Sequence, residues 1–169
     1  MRSILLVFFT FILLNATEID EKFHLGMRYL MGNGVTQDKH KAYLYLNESA
    51  QSGHPEAEYN LALMYYMGDG VEQNVTKSAE LLDASATKGY KRAQENIGRV
   101  YMQLLQFDKA IKWLKINAKD GDTKANYLLA ELYVEKGEFK TAKRYAKEAI
   151  NAGDADAKRL WSEHKLANY

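Results

Sequence analysis

The chain has no cysteine and only one proline, Pro55, among its 169 residues. Without cysteine, a disulfide framework, a zinc–thiolate site and cysteine catalysis are excluded. Exported proteins often rely on disulfides, so an exported form of this chain would depend on its packed core alone. Because no serine- or glycine-rich linker is present either, we predict no domain boundary after the N-terminal segment.

An excess of charge of one sign is also missing. The chain has 23 lysine and arginine residues against 22 aspartate and glutamate residues, which leaves a formal net charge of +1. Nucleic acids and anionic membrane surfaces attract clustered basic residues. We therefore expect neither of them to be a partner.

The first 16 residues are typical of a secretory signal peptide. One positive charge, Arg2, precedes an apolar run over residues 4–14, and the small residue Ala16 offers a cleavage site. The run is shorter than the roughly 20 apolar residues of a transmembrane helix, although a buried N-terminal helix is an alternative. We predict residues 1–16 as a signal peptide, residues 17–169 as the mature domain, and a periplasmic or secreted location without membrane insertion.

The rest of the chain repeats itself. Identical residues recur 36 positions apart in the first two repeats, a regularity that indicates a repeat array. The pairs are Leu25 and Leu61, Tyr29 and Tyr65, Gly32 and Gly68, Gly34 and Gly70, Val35 and Val71, Lys41 and Lys77, Ala50 and Ala86, and Gly53 and Gly89.

Each repeat is predicted to be a pair of helices, here called helix A and helix B. In the second repeat, Pro55 suits the first position of helix A, and apolar residues recur at helical spacing up to Tyr65. Gly68 and Gly70 then allow positive φ in a tight connection, and Gly89 ends helix B. In the first repeat, Thr17 or Asp20 is expected to cap helix A.

The later repeats are shorter. From Tyr101 onward the period is 32, because four residues of the glycine-containing loop are missing. We predict repeats at about 20–54, 55–90, 91–122 and 123–154, followed by a polar capping helix at 154–167, since an open array needs such a cap for solubility.

The first two repeats carry the pattern L-[AG]-x-x-Y-x-x-G-x-G-V-x-x-[DN]-x-x-K-[AS]. This pattern resembles the Sel-like repeat family, a relative of the tetratricopeptide repeat. The resemblance implies an all-α, right-handed solenoid superhelix of antiparallel helix pairs, whose concave face is lined by the A helices. The matched residues are Leu25, Gly26, Tyr29, Gly32, Gly34, Val35, Asp38, Lys41 and Ala42, and then Leu61, Ala62, Tyr65, Gly68, Gly70, Val71, Asn74, Lys77 and Ser78.

The resemblance also implies a function in binding. Such arrays hold a partner protein or peptide in the concave groove, and in small exported bacterial members this suggests an adaptor or scaffold of the cell envelope. A periplasmic immunity protein that sequesters a secreted toxin, such as a phospholipase, is an alternative. A hydrolase related to penicillin-binding repeat proteins is a third, but that branch is rich in cysteine. We expect a monomer with no catalysis, metal or cofactor.

In related tetratricopeptide units, fixed positions of helix A face the groove. If Leu61 and Ala62 are the packed pair, these groove positions lie two residues before Leu61 and two, five and six residues after it. They are Phe23, Met27, Leu30 and Met31; Tyr59, Leu63, Tyr66 and Met67; Glu95, Arg99, Met102 and Gln103; and Tyr127, Glu131, Val134 and Glu135.

The groove positions of the first two repeats are unusually apolar. Residues 61–67 read LALMYYM, which is apolar on every side of a helix, whereas a helix with one buried face normally has a polar opposite face. Tyrosine and methionine are favoured at recognition surfaces. We predict an apolar binding surface here, flanked by charged residues in the later repeats. The alternative is that these side chains pack between neighbouring A helices.

Two Ser-x-x-Lys strings, at Ser85 and Ser162, match the spacing of a penicillin-recognising nucleophile. Ser85 occupies a small-residue packing position of helix B, and neither a Lys-Thr-Gly nor a Ser-Asp-Asn string accompanies it. The histidines have no metal-like spacing. We therefore assign Ser85 to packing and expect no catalytic or metal residues.

Overall fold

The computed structural model describes the backbone from residue 2 and the side chains of residues 17–169. The described residues form helices and no strands, and they separate into two compact units, Met1–Ala93 and Gln94–Tyr169, with the boundary inside a helix. The predicted signal peptide lies outside the residues with described side chains. None of the helices in the described part of the chain is both long and apolar enough to cross a membrane.

Four helices belong to unit 1, and consecutive helices pack against each other. Their bounds are α1 Arg2–Met31, α2 Lys39–Gln51, α3 Pro55–Met67 and α4 Val75–Thr87. The core of this unit is small and apolar, with Leu46 and Leu61 almost fully buried at its centre. Alternation of large and small residues along the helices lets the backbones approach closely.

Unit 2 continues the same arrangement with shorter connections. Its helices are α5 Lys91–Gln103, which begins three residues before the unit boundary, α6 Phe107–Lys119, α7 Thr123–Glu135, α8 Phe139–Asn151 and α9 Ala155–Glu163. Trp113, Leu114 and Leu129 are buried in its core. The all-α solenoid class predicted from the repeats is confirmed, while the handedness of a superhelix remains a prediction.

The spacing that the first two repeats share has a direct structural explanation in the loop before each of their B helices. Asp38 and Asn74 are N-caps, and each accepts a hydrogen bond of 2.9 Å from the backbone N–H three residues later, at Lys41 and Lys77. Such caps satisfy N–H groups that lack partners within the helix. The Asp or Asn of the [DN]-x-x-K part of the motif is therefore the N-cap of the B helix.

The expected start of the first A helix is wrong. Helix α1 passes through Thr17 and Asp20 without interruption, so neither residue caps it. The physical reason is that no proline or glycine between residues 15 and 25 breaks the helix.

The predicted capping helix at 154–167 is shorter than expected. Helix α9 ends at Glu163, and Lys165, with φ of 48°, turns the chain into a single 3-10 turn at Leu166–Asn168. Leu166 is fully buried, and the ring of Tyr169 stacks on Phe139 with centroids 4.6 Å apart. The chain therefore leaves the helix after Glu163 and buries Leu166 instead.

Leu105 occupies a strained turn, and its replacement by glycine is expected to stabilise the protein. It has φ of 55° and is 73% exposed, whereas Gly137 stands at the equivalent place 32 residues later with φ of 74°. Relief of about 1–2 kcal/mol of left-handed strain exceeds the entropic penalty of about 0.5–1 kcal/mol for glycine. Leu105→Gly should raise the free energy of unfolding by about 0.5–1 kcal/mol, measured by urea denaturation, and Gly137→Leu should lower it. An unchanged or reduced stability for Leu105→Gly would refute the strain argument.

Candidate binding faces on the A helices

The groove positions on α1 divide into packed and exposed residues. Phe23, Met27 and Leu30 are half-buried and pack against the core of unit 1. Met31, the last residue of the helix, is 60% exposed. The end of α1 is therefore the part of this helix that presents apolar surface to solvent.

Side-chain exposure at the groove positions also rises toward the end of helix α3. Tyr59 and Leu63 are half-buried, while Tyr66 is 36% and Met67 is 62% exposed. Their neighbours Leu61 and Ala62 are buried, as the assignment of the packed pair requires. We call Tyr66 and Met67 the exposed end of α3.

Ring contacts show what covers the beginnings of these A helices. Phe23 stacks on His54 with centroids 4.6 Å apart, and Tyr59 meets Tyr90 at 5.2 Å. His54 is also the N-cap of α3, because its Nδ1 accepts a hydrogen bond of 3.3 Å from the N–H of Ala57. The packing alternative thus accounts for much of the burial of Phe23 and Tyr59, but it does not account for the exposed residues at the helix ends.

The groove positions of α5 are mostly polar and reach solvent. Glu95, Arg99 and Gln103 are exposed, and Met102 is half-buried. All four residues belong to unit 2. Glu95, near the start of the helix, is acidic, and Arg99, in its middle, is basic.

In α7 the four predicted positions come together in one cleft. Tyr127, Glu131 and Val134 are half-buried and Glu135 is exposed, and all four line a cavity of about 250 Å³ between α7 and α9. The side of the cleft formed by α9 consists of Asp156, Arg159, Leu160, Glu163 and His164. The lining contains four carboxylates and one arginine, so this cleft is acidic.

Hydrogen bonds and ion pairs hold the cleft side chains in place. The Tyr127 hydroxyl donates to Glu131 Oε1 over 3.2 Å. Burial, followed by the charge of Glu131 and its hydrogen bond, raises the pKa of Tyr127 above its ordinary value. Arg159 lies 3.3 Å from Asp156 Oδ1 and 3.8 Å from Glu163 Oε1. Lys124 Nζ also lies 3.7 Å from Asp156 Oδ2, so the two cations offset the charges of Asp156 and Glu163, while Glu131 and Glu135 keep the cleft acidic.

The contribution of α9 is absent from the sequence prediction. The period of 32 residues carries Tyr127 to Arg159 and Glu131 to Glu163, so the same positional rule applied to α9 would have found both residues. They were missed because this helix was treated as a cap. A terminal A helix can cap the array and line a cleft at the same time.

Both serines of the Ser-x-x-Lys strings donate hydrogen bonds to backbone carbonyls. Ser85 is fully buried, and its Oγ donates a hydrogen bond of 2.7 Å to the carbonyl of Pro55, which confirms its packing role. Ser162 Oγ donates to the carbonyl of Lys158 over 3.0 Å. Within residues 17–169, no three histidine, aspartate or glutamate residues are grouped so as to hold a metal ion.

Helix hairpins at a fixed period, small residues where helices approach, and side chains displayed along the A helices define an all-α repeat protein. Family comparison identifies the repeat: the chain matches the Sel1 repeat over residues 22–54, 55–90 and 92–122. These matches cover more than half of the chain, which therefore belongs to the Sel1 repeat family. Sel1 repeat proteins are typical protein–protein interaction scaffolds and are generally non-catalytic.

Solved structures share the fold. A Sel1 repeat protein from Oxalobacter formigenes is 22% identical, with a TM-score of 0.67 over 82% of this chain and 60% of its own. A protective antigen present in uropathogenic Escherichia coli strains, with an SLR fold, is 23% identical, with a TM-score of 0.65 over 85% of this chain and 32% of its own. MamA from Desulfovibrio magneticus RS-1 is 18% identical, with a TM-score of 0.59 over 89% and 94%.

The chain thus spans about a third of the antigen and three fifths of the Oxalobacter protein. At these identities the likeness concerns the fold alone. Comparison with curated proteins gave no match.

Proposed function

We propose that this protein is a non-catalytic binding module of the bacterial cell envelope, which holds a partner protein or peptide on the groove positions of its A helices. The observation that carries the proposal is the exposed end of α3. Met67 is 62% exposed directly beyond the buried template residues Leu61 and Tyr65. Apolar side chains that a fold does not need to bury, and that remain in solvent, commonly mark interaction sites.

The chemistry of the exposed end of α3 suits protein recognition. Tyrosine offers a rigid ring with a polar tip, and methionine adapts its shape to irregular surfaces. Both side chains belong to the last turn of a helix that has a cap at each end, His54 at the start and Gly68 at the finish. A partner would therefore meet a preorganised surface, so little conformational entropy is lost on binding.

The acidic cleft of unit 2 supports a second contact with the partner. Its carboxylates, which include Glu131 and Glu135, favour a segment that carries lysine or arginine. Such charges steer encounter and select partners more than they add affinity. We infer that apolar anchoring belongs to unit 1 and charge selection to unit 2.

The envelope location rests on the predicted signal peptide at residues 1–16, and it is proposed together with the binding role. One of the proteins with a similar fold is described as a protective antigen of a bacterium. An immunity protein would use the same surfaces, but it would form a tight one-to-one complex with a single toxin. An adaptor would instead bind an envelope component that is present without any toxin.

Truncation of the exposed end of α3 tests the proposal. Tyr66→Ala combined with Met67→Ala should weaken partner binding at least tenfold, because a few apolar and aromatic anchors carry most of the energy of an interface. The partner is captured from envelope extracts by cross-linking to the tagged full chain, identified by mass spectrometry, and its affinity is measured by surface plasmon resonance.

The control is Leu44→Ala on α2. Leu44 is 46% exposed but lies on a B helix, so its truncation removes a comparable apolar side chain outside the groove positions. Far-UV circular dichroism should be the same for all variants. Equal affinity of wild type and the double variant, or loss of helix in the double variant, would refute the assignment.

A further inference from the structure

A second kind of site lies in unit 1 among residues that do not belong to the groove positions. A cavity of about 510 Å³ opens between the first turns of α2, the end of α3 and the loop that leads into α4. Two tyrosines, a lysine and a histidine share its lining. The complete lining is His40, Tyr43, Tyr65, Gly70, Val71, Glu72, Gln73, Asn74 and Lys77.

The two tyrosine hydroxyls leave one hydrogen without an acceptor. Their oxygens are 3.2 Å apart, so one hydrogen bridges them. Among the described residues, no acceptor for the remaining hydrogen lies within hydrogen-bonding distance of Tyr43 or Tyr65. Tyr65 is 8% exposed as a whole residue, and it lines a cavity that opens to solvent. The spare hydrogen is therefore available to water or to a ligand group that enters the cavity.

Each hydroxyl of the pair shifts the pKa of the other, and either of them can donate the hydrogen bond that joins them. The hydrogen bond to Tyr65 is the main reason that the pKa of Tyr43 is raised. Burial by itself raises the pKa of Tyr65, but the hydrogen bonds from Tyr43 and Lys77 outweigh burial and lower it. The spare hydrogen therefore belongs to one hydroxyl of the pair, close to the Lys77 ammonium.

Lys77 brings to the cavity a positive charge that has no ion-pair partner among the described residues. Its Nζ lies 4.7 Å from the Tyr65 ring centroid, and the hydrogen bond to the Tyr65 hydroxyl raises the pKa of the ammonium. No carboxylate in the described part of the chain lies within 4 Å of this nitrogen, and Glu72, the one acid in the lining, makes no ion pair with it. The positive end of the α4 dipole adds to the charge, since Asn74 caps that helix beside the cavity.

The equivalent lysine–tyrosine pairs of the first and third repeats lack this combination. Lys41 lies 5.2 Å from the Tyr29 ring, but it is also 3.7 Å from Asp38 Oδ2. Lys109 lies 5.1 Å from the Tyr101 ring. Tyr43 itself is peculiar to the first repeat, because Ala79 stands 36 residues later. Stacking of lysine on tyrosine is a general property of the repeat, whereas the second hydroxyl and the open cavity belong to this place alone among those pairs.

We propose that the cavity between α2, α3 and α4 binds an oxyanion, a carboxylate or a phosphate group, through the Lys77 ammonium and the free hydroxyl hydrogen of the tyrosine pair. Two donors that converge on one oxyanion group, one of them charged, satisfy the requirement for charge-assisted hydrogen bonds. The volume exceeds that of a small anion, so the group can be part of a larger ligand. This site is independent of the exposed end of α3.

Nuclear magnetic resonance titration of the ¹⁵N-labelled full chain tests the proposal. Sodium acetate and inorganic phosphate are the probes, and sodium chloride at matched ionic strength is the reference. Saturable shifts of the amides of residues 70–77 are expected with at least one probe and not with chloride. Acetate alone indicates a carboxylate ligand and phosphate alone a phosphate ligand, and either result supports the site.

Variants decide which groups are responsible. Lys77→Gln should weaken binding at least tenfold and Tyr43→Phe several-fold, whereas Lys109→Gln, the matched lysine of the third repeat, should bind as wild type does. The Tyr66→Ala and Met67→Ala double variant should also bind normally, which separates this site from the proposed partner surface. Shifts that do not saturate, equal shifts with chloride, or full binding by Lys77→Gln would overturn the proposal.

Discussion

Leu61→Ala is expected to lower the free energy of unfolding by about 2–5 kcal/mol, the range found when a large core side chain is truncated. Leu61 is 1% exposed at the centre of the unit 1 core, where it belongs to one cluster with Leu46, Met64 and Tyr65. Its removal loses apolar burial and leaves a cavity that the capped helix ends cannot close by moving inward. Urea denaturation followed by far-UV circular dichroism measures the effect, because both tryptophans lie in unit 2.

Leu63→Ala is the matched control for Leu61→Ala. It removes the same atoms from the same helix two residues away, but at a half-buried groove position. We expect a loss of only about 1 kcal/mol, in proportion to the smaller burial. If Leu63→Ala destabilises as much as Leu61→Ala, the groove positions of α3 are core, and the proposed partner surface fails with them.

Gly70→Ala is expected to destabilise the protein by about 2–4 kcal/mol, as the sum of backbone strain and a clash. Gly70 has φ of 76°, which disfavours any residue with a Cβ atom. A Cβ at this place would also lie 2.8 Å from Lys39 Cβ and 2.9 Å from the Lys39 carbonyl oxygen. The backbone of α2 cannot withdraw without moving its first turn.

Gly34→Ala separates the two contributions to the effect of Gly70→Ala. Gly34 occupies the same place in the first repeat with φ of 71°, but a Cβ there would meet only the Arg28 guanidinium, 3.6 Å away. We expect a loss of about 1–2 kcal/mol from strain alone. Thermal or urea unfolding of both variants is the measurement, and equal losses would show that the contact with α2 contributes nothing.

The fold could be predicted because each requirement of the repeat is local. Positive φ at Gly68 and Gly70, and the Asn74 cap on the N–H of Lys77, involve residues close in sequence. Their spacing is therefore visible as a motif. Where a turn departs from the motif, as at Leu105, the same backbone geometry persists with a residue that tolerates it poorly.

The candidate binding faces could be predicted only in part. The positional rule of related tetratricopeptide units selects one side of each A helix, and it includes Met31 and Met67, which are exposed in the structure. It does not show what a neighbouring hairpin covers, such as the stacking of His54 on Phe23. That contact joins residues of two helices, and no local pattern contains it.

Taken by itself, the sequence determined the helix pairs, their period, the glycine turns that end helices and the family, because these depend on short-range sterics and hydrogen bonds. Tertiary structure alone decided which side chains meet across hairpins. It buries Glu58 to 5% exposure in an ion pair with Lys88, brings Glu131 opposite Arg159, and joins the hydroxyls of Tyr43 and Tyr65 beside a cavity. These contacts depend on the packing of hairpins against one another, and a repeat motif does not specify which side chain lies opposite.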